Sequence, residues 1–347
     1  MSRDAGPSRP PRPTMRDVAA LAHVGVKTVS RVINNEGNVS PSTQARVRSA
    51  AEKLGFRPNL VASNLRRADG RTATIGLLLE DVAIPFSAAL LRAVEDVAQR
   101  RGVQVLIASV DEDAARERDF ARTLIDRQVD GLLIAPTGRD QSYLIAEQRA
   151  GTPIVFLDRV PRLIDADAVV STNREGAADA TEHLVAIGHR RIAYLGDDIG
   201  IVTAQQRHDG YVSALAGAGI PVDPAIVHHG VATIDASCRA TLDLMACDSP
   251  PTAIFASQNL VTVGATKALH RLGLQHTIAL VGFDDFALAD VLTPGITLVA
   301  QDPTEMGRLG ATLLFDRLDG HDRPPQTHLI PTRLVVRGSG EIPPSGR

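Results

Sequence analysis

From residue 74 onward, short apolar runs of the kind that fill buried strands alternate with longer helical stretches, and no other feature limits the fold as tightly. The strand-type runs are Thr74–Leu79, Val103–Val110, Gly131–Ala135, Ile154–Leu157, Ile192–Leu195, Ala253–Ala256 and Ile278–Phe283. Between them the spacing predicts helices over Pro85–Arg101, Arg116–Gln128, Glu175–Ile187, Gln205–Gly217 and Leu260–Leu272. Strands that alternate with helices argue for parallel sheets covered by helices on both faces. The strands are too many for one compact sheet, so the expectation is an α/β core of two doubly wound parallel-sheet subdomains in tandem. Ligands of such sheets bind outside the carboxyl ends of the strands. Two sheets facing each other therefore predict a ligand cleft between them.

The first 71 residues do not share this pattern. They hold 13 Lys and Arg against 5 Asp and Glu, a balance of +8, while the remainder holds 24 basic and 35 acidic residues, a balance of −11. The whole-chain charge of −3 hides this division. A basic head on an acidic body points to a polyanionic partner for the head alone. Cys238 and Cys247 make neither a disulfide scaffold nor a Cys/His cluster with metal spacing, so no metal or cofactor is expected. No apolar run reaches the roughly 18 residues of a membrane span. Residues 1–13 are rich in Arg, Pro and Ser and lack the apolar stretch of a secretory signal. The expected location is the cytoplasm, in association with the nucleoid.

Within the head, Thr14-Met15-Arg16-Asp17 has capping-box spacing and opens a helix with Val18, Leu21 and Ala22 inward. His23-Val24-Gly25 interrupts it. A second helix follows from Val26 to about Asn34, burying Val29, Val32 and Ile33, and a third starts at Ser40-Pro41 with a stripe of Val47, Ala50, Ala51 and Leu54. Three short helices with a tight first turn are the helix-turn-helix arrangement. Pro58-Asn59 opens one more short helix, too polar to be stable alone. The expected division is a tail over 1–13, a helix-turn-helix domain over 14–57 and a hinge helix with linker over 58–71. The core then covers 72–340, followed by a tail over 341–347.

The segments Asp17-Val18-Ala19-Ala20-Leu21-Ala22, Thr28-Val29-Ser30-Arg31-Val32-Ile33-Asn34, Asn38-Val39-Ser40 and Glu52-Lys53-Leu54-Gly55-Phe56-Arg57-Pro58-Asn59 resemble the head of the lactose-repressor (LacI/GalR) family of transcription factors. The resemblance runs through the core in Pro153-Ile154-Val155-Phe156-Leu157-Asp158-Arg159, Gly188-His189-Arg190-Arg191-Ile192-Ala193 and Val281-Gly282-Phe283-Asp284-Asp285. It implies subdomains of the type I periplasmic-binding-protein kind, one over about 72–170 and 303–328, the other over about 171–302 and 329–340. It also implies a regulator, expected to be a repressor, that binds a pseudo-palindromic operator as a homodimer under control of a carbohydrate-like effector.

On that resemblance the second helix enters the major groove. Val26, Lys27 and Arg31 then face base edges, where Arg31 can pair bidentately with guanine. Thr28, Ser30 and Asn34 contact phosphates, which position the protein without specifying sequence. In the hinge, Asn59, Ala62 and Leu65 carry over, with Leu65 as a minor-groove wedge. The effector residues implied are Asp81, Phe86, Asp158, Arg207, Gln258 and Asp284. Three departures from the family pattern stand out. His23-Val24-Gly25 replaces Gly-Val-Ser in the turn and asks His23 for a positive φ. Ile84 replaces Asn before Pro85-Phe86. Gln258-Asn259 replaces Asn-Asp, which predicts an atypical or larger ligand.

Catalytic signatures such as GxxxxGK[ST], HExxH or GxSxG are missing, so no enzymatic residues are assigned. His228-His229 and Asp284-Asp285 are sequence neighbours whose side chains diverge on a strand, which argues against paired chemistry. The rival reading is a solute-binding receptor without a transcriptional role, against which the basic helical head counts.

Overall fold

The computed structural model describes residues 13–33, 37–57 and 71–344, and the chain divides into two compact units, residues 1–72 and 73–347, taken here in turn.

In the first unit, helices α1 (Met15–Ala22), α2 (Val26–Ile33) and α3 (Pro41–Leu54) enclose a small core of Val18, Ala22, Val29, Val32, Val47 and Ala50. Thr14 and Asp17 complete the capping box, each side chain meeting the other's backbone N–H. The hydrogen bonds from Thr14 hold the Asp17 carboxyl below the usual carboxylate range. His23 takes the left-handed conformation, φ 51° and ψ 50°, so the turn is made without the glycine the family pattern would supply. Leu21, expected inward, is exposed. The proposed hinge helix from Pro58 lies outside the described residues.

The second unit contains two six-stranded sheets. The first is built from β1 (Thr74–Leu79), β2 (Gln104–Ser109), β3 (Leu132–Ile134), β4 (Ile154–Leu157), β5 (Asp167–Ser171) and β11 (Thr327–Ile330), in the order β11-β5-β4-β3-β1-β2, all parallel. The second contains β6 (Ile192–Leu195), β7 (Val227–His228), β8 (Ala253–Ala256), β9 (Ala279–Phe283), β10 (Thr297–Ala300) and β12 (Arg333–Val335), in the order β12-β10-β9-β8-β6-β7. Only β12 runs antiparallel there. Helices α4 (Pro85–Arg100), α5 (Ala114–Asp126), α6 (Ile145–Arg149) and α11 (Pro303–Leu318) belong with the first sheet. Helices α7 (Asn173–Ala186), α8 (Val202–Gly217), α9 (Ile234–Ala246) and α10 (Asn259–Leu272) belong with the second.

The central strands of each sheet are buried on both faces, which is why they read as continuous apolar runs. Leu77 and Leu79 pack with Leu90 and Val94 of α4 and Leu314 of α11, whereas Leu78 packs on the other face with Ala121 and Leu124 of α5. The period of two repeats in the second sheet, with Ala193 and Leu195 toward α9 and α10, and Tyr194 toward α7 and α8.

The chain passes between the sheets three times, after β5, after β10 and after β11. The first and third crossings are tied together. Thr332 N–H donates to Thr172 Oγ1 at 2.9 Å, and Thr332 Oγ1 donates to the Thr172 carbonyl at 3.2 Å.

Two recurring sequence elements find physical reasons here. In Arg207-His208-Asp209-Gly210-Tyr211, Gly210 lets α8 lie directly on α7, since a Cβ there would stand 2.2 Å from the Arg174 carbonyl oxygen. Gly210→Ala is expected to force the helices apart and destabilise the core by roughly 1–3 kcal/mol, read by chemical denaturation. An unchanged midpoint would show that the helix pair has slack.

In Gly188-His189-Arg190, the buried His189 ring bridges Thr252 Oγ1 and the Ile342 carbonyl, 2.8 Å from each. Nε2–H donates to the Ile342 carbonyl, and Nδ1 meets the Thr252 hydroxyl. Burial lowers its pKa below the ordinary 6.5, against the pull of the Ile342 carbonyl. The folded state then binds fewer protons than the unfolded state below that pH. The stabilisation is complete above about pH 6.5 and is lost as pH falls. His189→Gln should flatten the acid limb of a Tm-versus-pH profile; a parallel limb would exclude the role.

Candidate DNA-reading face and effector cavity

In the head, α2 divides its residues by helical phase. Val29 and Val32 are buried, while Val26, Lys27 and Arg31 are exposed, and Thr28 and Ser30 are half-buried at the flanks. Lys27 and Arg31, four residues apart, share one outer face and form a basic strip. The Gly25 carbonyl accepts from the Thr28 and Val29 N–H groups at 2.9 and 3.2 Å, so this helix start is organised by backbone rather than by a serine side chain. Asn34, Asn59, Ala62 and Leu65 lie outside the described residues.

In the core, a cavity opens at the carboxyl ends of both sheets. From the first sheet come Glu80 after β1, Ala135 after β3, and Asp158 and Arg159 after β4, with Ile84, Phe86 and Ser87 at the start of α4. From the second come Asp197 after β6, Ser257, Gln258 and Asn259 after β8, Asp284 after β9 and Gln301 after β10, with Thr203, Ala204 and Arg207 of α8. The centres of water-sized molecules can occupy about 60 Å³ of it, room for only a few waters.

Of the residues expected at the ligand, Phe86, Asp158, Arg207, Gln258 and Asp284 line this cavity. Asp81 does not. Its carboxylate turns back to accept from the Ala83 N–H at 2.9 Å, serving the β1–α4 turn. Its neighbour Glu80 takes the place on the wall, a shift of one residue that the alternation of a strand's side chains makes decisive.

Arg207 organises the second wall. Its Nε donates to Asn173 Oδ1 and its Nη1 to the Ser257 carbonyl, both at 2.8 Å, and its guanidinium lies 3.9 Å from the centre of the Phe283 ring. Asp284 stands 3.7 Å from Nη1 and accepts from Gln301 Nε2 at 2.5 Å. Burial raises the pKa of the Asp284 carboxyl, with Arg207 partly opposing that rise. Behind Arg207, Ser257 Oγ donates to Tyr194 Oη at 2.9 Å, and burial pushes the Tyr194 phenol up to about 12.

Arg159 organises the first wall. It is 7% exposed and grips Glu112 through two hydrogen bonds of 2.8 and 2.5 Å. Burial works against its charge, but the carboxylates around it, Glu112 foremost and then Asp158 and Glu80, together outweigh burial and raise its pKa. Glu80 lies 3.7 Å from the same guanidinium. Burial first, and then the nearby charge of Glu112, push the Glu80 carboxyl up to about 8. Several polar atoms lining the cavity have no protein partner, among them Gln258 Oε1, Asn259 Nδ2 and Gln301 Oε1. Buried polar groups are normally paired, so this set awaits partners from a ligand or water.

Sequence spacing does not single out Glu80, Asp197, Gln301 or Asn173. Asp197 is within reach of a sequence argument, since it follows an expected strand at the carboxyl end. Asn173 and Gln301 follow β5 and β10, strands that the apolar runs did not reveal. Among the described residues no group of three or more His, Cys, Asp or Glu side chains could hold a metal ion, and no helix is long and apolar enough to cross a membrane.

Comparison with known proteins adds independent findings. Residues 14–59 match the family described as bacterial regulatory proteins, lacI family, and residues 181–340 match the periplasmic binding protein-like domain. The HTH-type transcriptional repressor CytR of Escherichia coli K12 is 32% identical over 328 residues, covering 94% of this chain and 96% of that protein. A solved transcriptional regulator CelR–cellobiose complex is 33% identical, covers 94% of this chain and 100% of its own, and superposes with a TM-score of 0.69. The lac repressor dimer bound to operator and the anti-inducer ONPF is 27% identical, covers 95% and 99%, and gives a TM-score of 0.83.

Proposed function

The chain belongs to the lacI family of bacterial regulatory proteins, and from that premise we propose how its two units divide the work. It is a ligand-responsive DNA-binding repressor, not an enzyme. It acts as a homodimer on a pseudo-palindromic operator, because a two-fold protein presents its two recognition helices to two half-sites. Lys27 and Arg31, with Val26 between them and the turn, read base edges. Thr28, Ser30 and Asn34 hold phosphates, while Asn59, Ala62 and Leu65 act at the minor groove. The protein works in the cytoplasm, at the nucleoid.

The effector is carbohydrate-like, in keeping with the cellobiose of the CelR complex. Phe86 supplies an apolar platform, and Asp158, Arg207, Gln258 and Asp284 supply hydrogen bonds to hydroxyl groups. The observation that carries this reading is the unpaired polar lining of a cavity shared by both sheets. A ligand touching both walls has a different affinity for the open and closed arrangements, so it shifts their balance. Residues 58–71 pass that shift to the head, and by linkage operator DNA changes ligand affinity by the same factor.

The test is selection of bound sequences from random DNA by the full-length protein. Expected is a recovered pseudo-palindrome whose affinity falls steeply with salt, as phosphate-neutralising cations require. Recovery of no common sequence at low salt, with or without candidate sugars, would end the regulator reading.

A further inference from the structure

Resting on the reading of this cavity as the effector site, we propose that the effector is a sugar-like molecule bearing a protonated amine, and that Glu80 and Asp197 hold the ammonium. The cavity wall carries four carboxylates, Glu80, Asp158, Asp197 and Asp284, against two guanidinium groups, Arg159 and Arg207. Both cations are already engaged. Arg207 spends two N–H groups on Asn173 and the Ser257 carbonyl at 2.8 Å each, with Asp284 further off at 3.7 Å. Arg159 is gripped from behind by Glu112, and reaches Glu80 only at 3.7 Å and Asp158 only at 3.4 Å, beyond good N–H···O distances.

Glu80, on the first sheet's side, thus has only the long 3.7 Å contact to an Arg159 already held by Glu112, and it lies in the field of Asp197 from the second sheet. Among the described residues, the side-chain donor to Asp197 is Gln258 Nε2, at a long 3.5 Å. A neutral polyol would bring no cation to this acidic wall. An ammonium group offers three donors and no acceptor, which suits two carboxylates and the unpartnered Gln258 Oε1. Asn259 Nδ2 is an independent sign that the cavity is built to meet a ligand: that side chain lines the wall, is 6% exposed and has no partner. The raised pKa of Glu80 agrees with a site waiting for positive charge. Burial first, and then the field of Glu112, keeps it high, and Arg159 only partly offsets them. Arrival of an ammonium would make Glu80 ionise and release a proton.

The experiment is calorimetric titration of the full chain at pH 7 with D-glucose against D-glucosamine and D-galactose against D-galactosamine, in two buffers of different ionisation enthalpy. Expected is that one amino sugar binds at least about tenfold tighter than its neutral partner, the lower end of a charge-assisted hydrogen bond. Its binding should release a fraction of a proton, and Glu80→Gln or Asp197→Asn should collapse the preference. Two variants on different sheets, each checked by thermal melting, guard against a loss of fold. If neutral sugars bind as tightly as amino sugars, or the preference survives both variants, this inference falls and the effector cavity stands. If neither series binds, the inference falls together with the carbohydrate reading of the cavity.

Discussion

Arg207→Ala is expected to lower the stability of the core by roughly 3–5 kcal/mol, the cost of leaving a buried carboxylate without its partner. Asp284 is 9% exposed, and besides Arg207 its side chain has Gln301 as a donor, so the alanine variant strands a charge that water reaches poorly. Loss of the stacking on Phe283 and of the hydrogen bonds to Asn173 and Ser257 adds to the effect. Because burial already raises the Asp284 pKa, the variant should recover part of the loss by taking up a proton there, so its deficit should shrink as pH falls. Chemical denaturation at pH 5 and pH 8 measures both effects. At temperatures where the variant is still folded, its operator affinity should no longer respond to any sugar that binds the wild type. A variant as stable as wild type and still responsive would remove Arg207 from the centre of the site.

Arg31→Ala is expected to cost about 1–3 kcal/mol of discrimination between the preferred base and its alternatives at one position in each half-site. The side chain stands exposed on α2, away from Val29 and Val32, so its removal should leave the head's melting temperature unchanged. Random-sequence DNA should be bound almost as before, apart from one lost cation per subunit and a slightly shallower salt dependence. Fluorescence anisotropy on a set of single-base operator variants separates the two effects. Equal losses on specific and random DNA would make Arg31 a phosphate contact instead.

What could be read before the fold was known follows from where the signal is strong. Strands buried on both faces, such as Ile154–Leu157 and Ile192–Leu195, are unbroken apolar runs and end where the runs end. Strands β5 and β11 escaped because β5 begins with the buried charge of Asp167 and β11 is an edge strand with Leu329 exposed. Asp167 is tolerable there because Arg317 and the Gln326 N–H satisfy it from 150 or more residues away. Nothing in the local sequence announces such partners. The same holds in the cavity. Gly210 and Arg207 stand in a recognisable pattern, whereas Glu80 gains its meaning from Glu112, Arg159, Asp158 and Asp197, which follow other strands.

The three crossings between the sheets also bear on how the chain is made. The first sheet is not one stretch of sequence: Thr327 pairs with Ala168, and α11 lies on β3 and β4. As the chain leaves the ribosome, residues 73–171 emerge with an unfinished edge and a partly uncovered face, and must wait while five of the second sheet's six strands are synthesised. Contacts this distant are costly in loop closure and slow to form. The first subdomain is therefore the part most open to aggregation during synthesis. A stop codon near residue 300 would damage both halves of the core, although it removes only the last helix and two strands.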